Sequence, residues 1–491
     1  MKKNKIICLV VCMTLLLEAL PVPSAATETQ QPTDASTVVE ETTNSDMNSV
    51  SVLNGSHTID AQAPLCGSDK LLQTAGSAIL YEINSDSLVY AWNPDLPVYP
   101  ASLVKIMTAL VAIENGNLAQ VVTVSANAMS SIEKKFATLE LKVGEELTLE
   151  QLIRCMLVGS ANDASVVIAD HIAGSQQGFA AMMNQRAAEI GCTGTVFTNP
   201  HGLHDNKQIS TARDMVKILK EAIKNEDFVS FFTDTVYTLP ATNMSKSRYM
   251  ETTNYMMTRD VTEEYYDSRV TGGRTGVTDE RRRCLIVTAE KGPLSFIAIV
   301  MDAIPKADPD DPTTIKRFGN YEEVGDLLDM GFRDYRVTQV LSDNEIIGQY
   351  EVENGTNAVA VGPSLSLSAV LPKDATVNDL TVKYEKNITT LTAPVEAGTV
   401  VNVVQLWYGD VCLAQSPLVT KNSSRVIDLS QSGNDADSKD DGFGKRLLIV
   451  LGVLIVGALA FAGVLSIIRV IRRMSTRIQH RRRRKYRRRS R

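Results

Sequence analysis

The chain has 491 residues, of which 44% are hydrophobic and 22% are charged, and its formal net charge is -7. That value conceals an uneven distribution, because residues 27–444 carry 32 basic and 56 acidic side chains, whereas residues 469–491 carry 13 basic and no acidic ones. The acidic central part argues against binding of nucleic acid by that part, and the length suffices for two domains with hydrophobic cores.

The N-terminal region has the features of a secretory signal peptide. Three lysines within the first five residues precede a mostly apolar stretch at 6–17, and small residues occupy positions 24–26. This pattern predicts a signal peptide over residues 1–26 with cleavage near Ala26. Residues 27–64 are rich in Thr, Ser, Asp and Glu, which predicts a disordered acidic spacer.

Residues 65–336 carry the pattern of an α+β domain. A hairpin is predicted at 78–83 and 88–92, with its turn at 84–86, and helical periodicity then continues to about residue 225. Strands return at 285–289 and 296–301. Strands on both sides of a helical region predict one sheet with helices packed on it.

Three short motifs within this domain carry chemistry. The first is Ser102-x-x-Lys105, whose spacing places a hydroxyl nucleophile and an amine on one face of a helix, where the amine can take the proton. The second, Ser160-Ala161-Asn162, adds a second hydroxyl and an amide for proton relay and substrate anchoring. The third, Arg274-Thr275-Gly276, precedes a strand-like run and offers a cation and a hydroxyl to a carboxylate.

Context is needed to select these motifs, because Ser131-x-x-Lys134 and Ser125-x-Asn127 have the same spacings. Ser102 opens an apolar helical run, which predicts that it lies in the first turn of a buried helix, at the positive helix end. The second pair comes in the reverse order and has no long apolar helix behind its serine. We therefore expect that pair to be solvated surface.

In order and context, the three motifs resemble the low-molecular-weight penicillin-binding proteins of the D-alanyl-D-alanine carboxypeptidase type. The segments at 141–152, 158–164, 199–205 and 210–215 are also similar to this family, so the likeness covers about residues 65–305. The resemblance implies a β-lactamase/transpeptidase-like catalytic domain that trims peptidoglycan stem peptides and is inhibited by β-lactams. It also implies that Arg274–Gly276 lies on a sheet edge beside the helix that carries Ser102.

Roles for individual residues follow from the resemblance. Ser102 would attack the carbonyl of the penultimate D-alanine with Lys105 as base, and Ser160 would pass a proton to the leaving amine. Asn162 would hold the substrate backbone, while Arg274, Thr275 and Gly276 would complete the substrate site. The oxyanion hole would be formed by the backbone amide of Ser102 and by one near Val277.

Two features depart from the family pattern. The usual lysine of the third motif is Arg274 here, which keeps the charge but has a larger, planar head. The charged run 279–283 follows shortly afterwards; it could narrow substrate choice, weaken activity or form a solvated turn, and we favour the turn.

No cofactor and no metal are predicted. His201, His204 and Asp205 could imitate a zinc-ligand cluster, but no third histidine lies nearby in the sequence, so we favour a structured loop beside the site. Five cysteines remain after the signal peptide at wide spacing, which does not indicate a disulfide framework, although one or two bridges stay open.

A second domain is predicted over residues 337–425. Short strand candidates are separated by Gly, Pro and Asn turns, which predicts a small β-sandwich similar to the C-terminal domain of the same carboxypeptidases. The candidates are 346–352, 358–361, 365–371, 400–406 and 411–413. We expect a pedestal rather than a specific partner site, since a fold alone does not give function. A polar tether follows at 426–446.

Residues 447–468 form an uncharged apolar run long enough to cross a hydrocarbon core of about 30 Å. The basic tail at 469–491 predicts a single-pass membrane protein with a cytoplasmic C-terminus and an extracellular catalytic domain. We favour contact of the tail with anionic lipid over nucleic-acid binding.

Two alternatives to the carboxypeptidase stay open from the sequence. A β-lactamase on the same scaffold would need fast deacylation, and the predicted span and second domain argue against it. A wall-binding or sensor protein with a catalytically weak site would bind ligand without releasing D-alanine.

Overall fold

The structure is a computed structural model that describes residues 63–66, 72–130, 132, 137–259, 263–307 and 315–427. All of these lie in one compact unit of the chain, Gly55–Arg491. The predicted signal peptide, the apolar run at 447–468 and the basic tail lie outside the described residues. Of the predicted spacer only residues 63–64 are described, and of the predicted tether only residues 426–427. Within the described ranges, no helix is long and apolar enough to cross a membrane.

The first domain begins with a hairpin of β1 (Ser77–Glu82) and β2 (Ser87–Trp92). A helical region with short strands follows: α1 (Val104–Asn115), β3 (Val121–Thr123), α2 (Ala126–Ser130), β4 (Glu146–Thr148), α3 (Leu149–Val158), α4 (Asn162–Ala173), α5 (Gln176–Ile190), α6 (Ala212–Ala222), α7 (Glu226–Phe232), β5 (Val236–Leu239) and β6 (Arg248–Glu251). The domain closes with β7 (Val270–Val277), β8 (Arg283–Lys291), β9 (Leu294–Ala303), β10 (Lys306–Ala307), β11 (Ile315–Arg317) and α8 (Gly319–Asp334).

Five of these strands form the central sheet, in the order β2-β1-β9-β8-β7 with antiparallel neighbours. The N-terminal strand β1 inserts between β2 and β9, so the two ends of the domain are joined by the sheet. β7 forms one edge and carries Arg274–Gly276. An edge strand leaves one row of backbone groups unpaired, which makes it available to an extended ligand.

Both faces of the sheet are covered, which explains why its strands are continuous hydrophobic runs. Ile79, Ile286 and Ile299 face the helical region, whereas residues of opposite parity, such as Leu80 and Leu285, pack against α8. This alternation follows from the two-residue period of a strand. The α+β arrangement predicted from the sequence is therefore observed, with strand bounds that extend up to two residues beyond several of the predicted ones.

The second domain contains only strands apart from one short 3₁₀ turn at Val377–Asp379. Its strands are β12 (Tyr335–Leu341), β13 (Gly348–Glu353), β14 (Val359–Pro363), β15 (Leu367–Pro372), β16 (Leu380–Tyr384), β17 (Thr390–Thr392), β18 (Val400–Tyr408) and β19 (Val411–Thr420). β12 pairs with β15, and the other six form a sheet in the order β16-β18-β19-β14-β13-β17. Leu371 and Leu413 join the two sheets in one apolar cluster.

Three strands of this domain, β12, β16 and β17, do not correspond to predicted ones. β17 has only three residues, too few for a pattern, whereas β16 alternates Leu380, Val382 and Tyr384 with polar residues and is a strand that the prediction overlooked. β12 starts at Tyr335, directly after α8 ends, and so crosses the predicted domain boundary at 337.

Candidate active site

Ser102 lies in a short 3₁₀ turn, Ala101–Leu103, immediately before α1. Ala101 has a φ of 48°, a left-handed conformation that costs energy for a residue with a side chain and persists only where the surroundings impose it. Two glycines pack closely against this turn. A Cβ added to Gly202 would lie 2.9 Å from the Ser102 nitrogen, and a Cβ added to Gly276 would lie 3.3 Å from the same atom. The turn that presents the serine is therefore held from two sides by close backbone packing.

Lys105 lies on the first turn of α1 and is completely buried. Its Nζ donates to Ser102 Oγ at 3.1 Å, to Asn162 Oδ1 at 2.8 Å and to the carbonyl of His201. Burial, and secondarily the charge of Arg274, hold the pKa of Lys105 well below its ordinary value, against an opposing effect of Asp163. A lysine with a lowered pKa can be neutral near pH 7 and can accept the serine proton.

The second motif joins α3 to α4. Ser160 has a φ of 59° and directs its Oγ to within 3.5 Å of Ser102 Oγ. Asn162 begins α4 and is 5% exposed. The next residue, Asp163, is fully buried and accepts hydrogen bonds from the backbone N–H groups of Leu139 and Leu141. Asp163 thus ties α4 to the loop before β4 and lies close enough to influence Lys105.

The third motif divides between the two faces of β7. Thr275 Oγ1 lies 2.7 Å from Thr253 Oγ1 on the cleft side. Arg274 is 1% exposed, does not line the cleft and donates from Nη1 to the carbonyl of Leu157. Its Nε and Nη2 have no hydrogen-bond partner among the described residues, and burial lowers its pKa to about 10. Gly276 passes beside the Ser102 turn, where a side chain would meet Pro100 O at 3.0 Å.

These elements enclose a cleft of about 290 Å³. Its lining includes Ser102, Ser160 and Asn162 together with Thr275 and Gly276. The remaining walls come from the loop that contains Gly202, from Thr253 and Tyr255, from the residues after β7 and from the start of α8. One cleft therefore collects residues from all three motifs.

Comparison with known proteins gives two adjoining matches. A family model described as D-alanyl-D-alanine carboxypeptidase matches residues 66–304, and one described as the C-terminal domain of penicillin-binding protein 5 matches residues 335–425. The chain belongs to the D-alanyl-D-alanine carboxypeptidase family. The structure accordingly has a transpeptidase-like catalytic domain followed by an all-β domain.

Individual relatives align with most of the chain. D-alanyl-D-alanine carboxypeptidase DacF of Bacillus subtilis is 29% identical over 364 residues, which cover 72% of this chain and 87% of the relative. DacC of Escherichia coli is 28% identical over 352 residues, which cover 70% of this chain and 82% of the relative. The solved structure of penicillin-binding protein 5 from Haemophilus influenzae is 26% identical, has a TM-score of 0.60, and covers 73% of this chain and 100% of its own.

Three features of this family member were absent from the predicted site. The carbonyl of His201 accepts a hydrogen bond from Lys105, Thr253 pairs with Thr275, and Arg283 lines the cleft. The segment 199–205 around His201 resembles the family, but a role for a backbone carbonyl has no sequence signal. Arg283 belongs to the charged run 279–283, for which a solvated turn is predicted. Asp279, Glu280 and Arg281 are exposed, as that prediction requires, but Asp279 and Arg283 also line the cleft.

His201 and His204 have different surroundings. The His201 ring is buried and its Nδ1 accepts a hydrogen bond from the Leu203 N–H, and burial lowers its pKa to about 3. The His204 ring packs edge-on against Tyr99, with ring centroids 4.7 Å apart. Across the described residues, no group of three or more His, Cys, Asp or Glu side chains could hold a metal ion. Cys155 and Cys284 are buried free thiols whose pKa burial raises to about 12.

Ser125 and Asn127, which repeat the spacing of the second motif, form structural hydrogen bonds. Ser125 Oγ donates to Asp170 Oδ2 at 2.5 Å and Asn127 Nδ2 donates to Asp170 Oδ1 at 2.5 Å. This set therefore fastens α2 to α4. Ser131, Glu133 and Lys134 lie outside the described residues.

Proposed function

We propose that the chain is a serine-type D-Ala-D-Ala carboxypeptidase that removes the terminal D-alanine from peptidoglycan stem pentapeptides through an acyl-enzyme and is inhibited by β-lactams. The contact between Ser102 Oγ and Lys105 Nζ, 3.1 Å apart and with the amine completely buried, is the observation that carries this proposal. The family membership and the relatives named D-alanyl-D-alanine carboxypeptidase support it.

Acylation begins when neutral Lys105 takes the hydroxyl proton of Ser102. The Ser102 oxygen attacks the carbonyl carbon of the penultimate D-alanine, and the negative charge develops on the carbonyl oxygen. Collapse of this intermediate breaks the C–N bond while Ser160 passes a proton to the leaving amine. Water then attacks the ester, which releases the shortened peptide and restores the serine.

The developing oxyanion requires two donors at the mouth of the Ser102 turn. Gly276 pairs with Cys284, and the Thr278 N–H donates to the Arg282 carbonyl at 2.9 Å. Because hydrogen-bonded and non-hydrogen-bonded pairs alternate in an antiparallel ladder, the N–H of Val277 points away from β8 toward the open edge of the sheet. We assign the oxyanion hole to the Val277 and Ser102 N–H groups, consistent with the proximity of Gly276 to the Ser102 nitrogen.

The membrane arrangement is part of the proposal and depends on the sequence. We propose that residues 447–468 span the membrane once, that the basic tail lies in the cytoplasm and that the all-β domain is a pedestal for the catalytic domain. Fluorescent penicillin applied to intact cells should label the protein, while an epitope at the C-terminus should become accessible to protease only after the cells are permeabilised. Protease cleavage of the epitope in intact cells would contradict this orientation.

The activity is tested with the full-length protein in detergent, a stem pentapeptide and an assay for released D-alanine, in parallel with labelling by fluorescent penicillin. Ser102→Ala should abolish both release and labelling. Ser131→Ala removes the serine of the other Ser-x-x-Lys sequence and is the matched control, which should retain both. Labelling that persists in Ser102→Ala would refute the assignment of the nucleophile.

The same assay separates the alternatives. A β-lactamase would turn over nitrocefin many times per enzyme, and a wall-binding or sensor protein would bind penicillin without releasing D-alanine. The matching C-terminal domain of penicillin-binding protein 5 favours the carboxypeptidase over both.

A further inference from the structure

An enzyme that releases a single terminal residue has to distinguish a free C-terminus from an internal peptide bond. A cation beyond the last residue can supply this distinction, because a free C-terminus carries a carboxylate at that point whereas a continuing chain carries a neutral amide. The third sequence motif predicts that Arg274 is this cation. In the structure, Arg274 is 1% exposed and does not line the cleft, and its charge contributes, after burial, to the lowered pKa of Lys105.

Arg283 is the arginine that lines the cleft. It stands at the start of β8, directly opposite Val277 of β7. Paired residues of neighbouring strands lie on the same face of a sheet, and residues two apart share a face. Arg283 therefore lies on the same face as Thr275, whose hydroxyl lines the cleft, while Arg274 lies on the opposite face.

Among the described residues, the guanidinium of Arg283 has no anionic partner. It stacks on the ring of Phe318 at 4.0 Å from the centroid, and among the described residues it forms no hydrogen bond and no ion pair. Asp205 and Asp279 also line the cleft, but neither forms an ion pair with it. Partial burial lowers the pKa of Arg283, since an enclosed cation without a counter-ion is unfavourable and is stabilised when an anion arrives.

The surroundings add to the preference for an anion. α8 begins at Gly319 without a side-chain cap, and its N-terminal end reaches the cleft through Asn320 and Tyr321. The positive end of a helix attracts negative charge.

We propose that Arg283, with the Thr275 hydroxyl, binds the terminal carboxylate of the peptide substrate and so determines the preference for a free C-terminus. This inference depends on the carboxypeptidase activity proposed above. It assigns to Arg283 the recognition that the sequence pattern placed on Arg274, and it leaves Arg274 as a buried charge that acts on Lys105.

The test compares two peptides on the full-length protein: a stem pentapeptide with a free terminal carboxylate and the same peptide as the C-terminal amide. Arg283→Gln should lower kcat/KM for the free acid roughly 10- to 100-fold, the range expected for loss of a charge-assisted hydrogen bond. The loss should appear mainly in KM, the amide should change less than about 3-fold, and Arg283→Lys should recover part of the preference.

Arg282→Gln is the matched control, because Arg282 is the neighbouring arginine, approaches Asp302 at 4.0 Å and does not line the cleft. Arg282→Gln should leave the ratio of kcat/KM for the free acid to kcat/KM for the amide unchanged. The inference would be overturned if Arg283→Gln lowered kcat/KM equally for the free acid and the amide, or lowered it for neither. It would also be overturned if Arg274→Gln, but not Arg283→Gln, abolished the preference for the free acid.

Failure of the inference is distinguishable from failure of the proposed activity. If the wild-type protein releases no D-alanine, the same comparison is made for acylation of Ser102 by benzylpenicillin and by its methyl ester. A preference for the free acid that Arg283→Gln removes would then support the carboxylate site without the carboxypeptidase. Absence of both release and acylation in the wild type would overturn the proposed function, and this inference with it.

Discussion

The position of Ser102 depends on a glycine that is distant in sequence. Gly202 has a φ of 84°, and a Cβ added to it would lie 2.1 Å from the carbonyl oxygen of Ala101, 2.5 Å from its carbonyl carbon and 2.9 Å from the Ser102 nitrogen. All three are backbone atoms, so no flexible side chain can yield. The substitution Gly202→Ala therefore requires the Ala101–Ser102 peptide and the Gly202 loop to separate by roughly 1 Å to reach ordinary van der Waals contact.

Two separate costs follow from this geometry. The left-handed conformation costs a residue with a side chain about 1–2 kcal/mol, and overpacking adds about 1–3 kcal/mol, so Gly202→Ala should lower the free energy of unfolding by roughly 2–5 kcal/mol. The displacement also changes the Ser102–Lys105 geometry from both sides, because the carbonyl of the adjacent His201 accepts from Lys105. A misplacement of about 1 Å can lower a rate about 100-fold.

The assay measures the second-order rate constant of acylation by fluorescent penicillin, together with urea unfolding, at a temperature where the variants are folded. Gly191→Ala is the matched control: Gly191 has a φ of 87°, but an added Cβ there would meet nothing within 4 Å. It should lose only about 1–2 kcal/mol of stability and should acylate at the wild-type rate. Wild-type acylation by folded Gly202→Ala would refute the argument that this glycine holds the nucleophile in place.

Three further predictions concern buried titratable groups. Arg274→Gln removes a cation that lowers the pKa of Lys105, so the pKa of Lys105 should rise in this variant. The acidic limb of the pH profile of acylation should then move to higher pH, and a shift to lower pH would contradict this. The pKa of His201 is lowered to about 3 in the fold, so the unfolded chain binds its proton first, and stability should be lost as pH falls from about 6.5 toward 3, by up to about 1.4 kcal/mol per pH unit; urea unfolding should show a weaker dependence in His201→Asn. Glu145→Gln leaves Arg248 without its fully buried partner and should cost about 3 kcal/mol in urea unfolding, part of which Arg248→Met in the same chain should recover.

The all-β domain shows which strands a local sequence pattern predicts. Five of its strands were predicted because their apolar residues alternate or cluster between turns, and each of the five corresponds to an observed strand. β16 was overlooked although Leu380, Val382 and Tyr384 alternate with polar residues; four of its five residues are exposed, and it pairs with β18. The alternation is typical of a strand, but only the pairing with β18 decides that this strand lies at the edge of the sheet.

The sequence by itself determined the motifs, their order and the relation of Ser102 to Lys105, because three residues of helical or 3₁₀ backbone bring two such side chains together locally. It also contained the information that Arg274 and Thr275 face opposite sides of a strand, through the two-residue period. Only the tertiary structure decided which side faces the cleft, because that depends on the helices packed against the sheet. The same holds for Arg283, which comes to the substrate cleft through the pairing of β8 with β7 and the approach of α8, contacts between segments far apart in the chain.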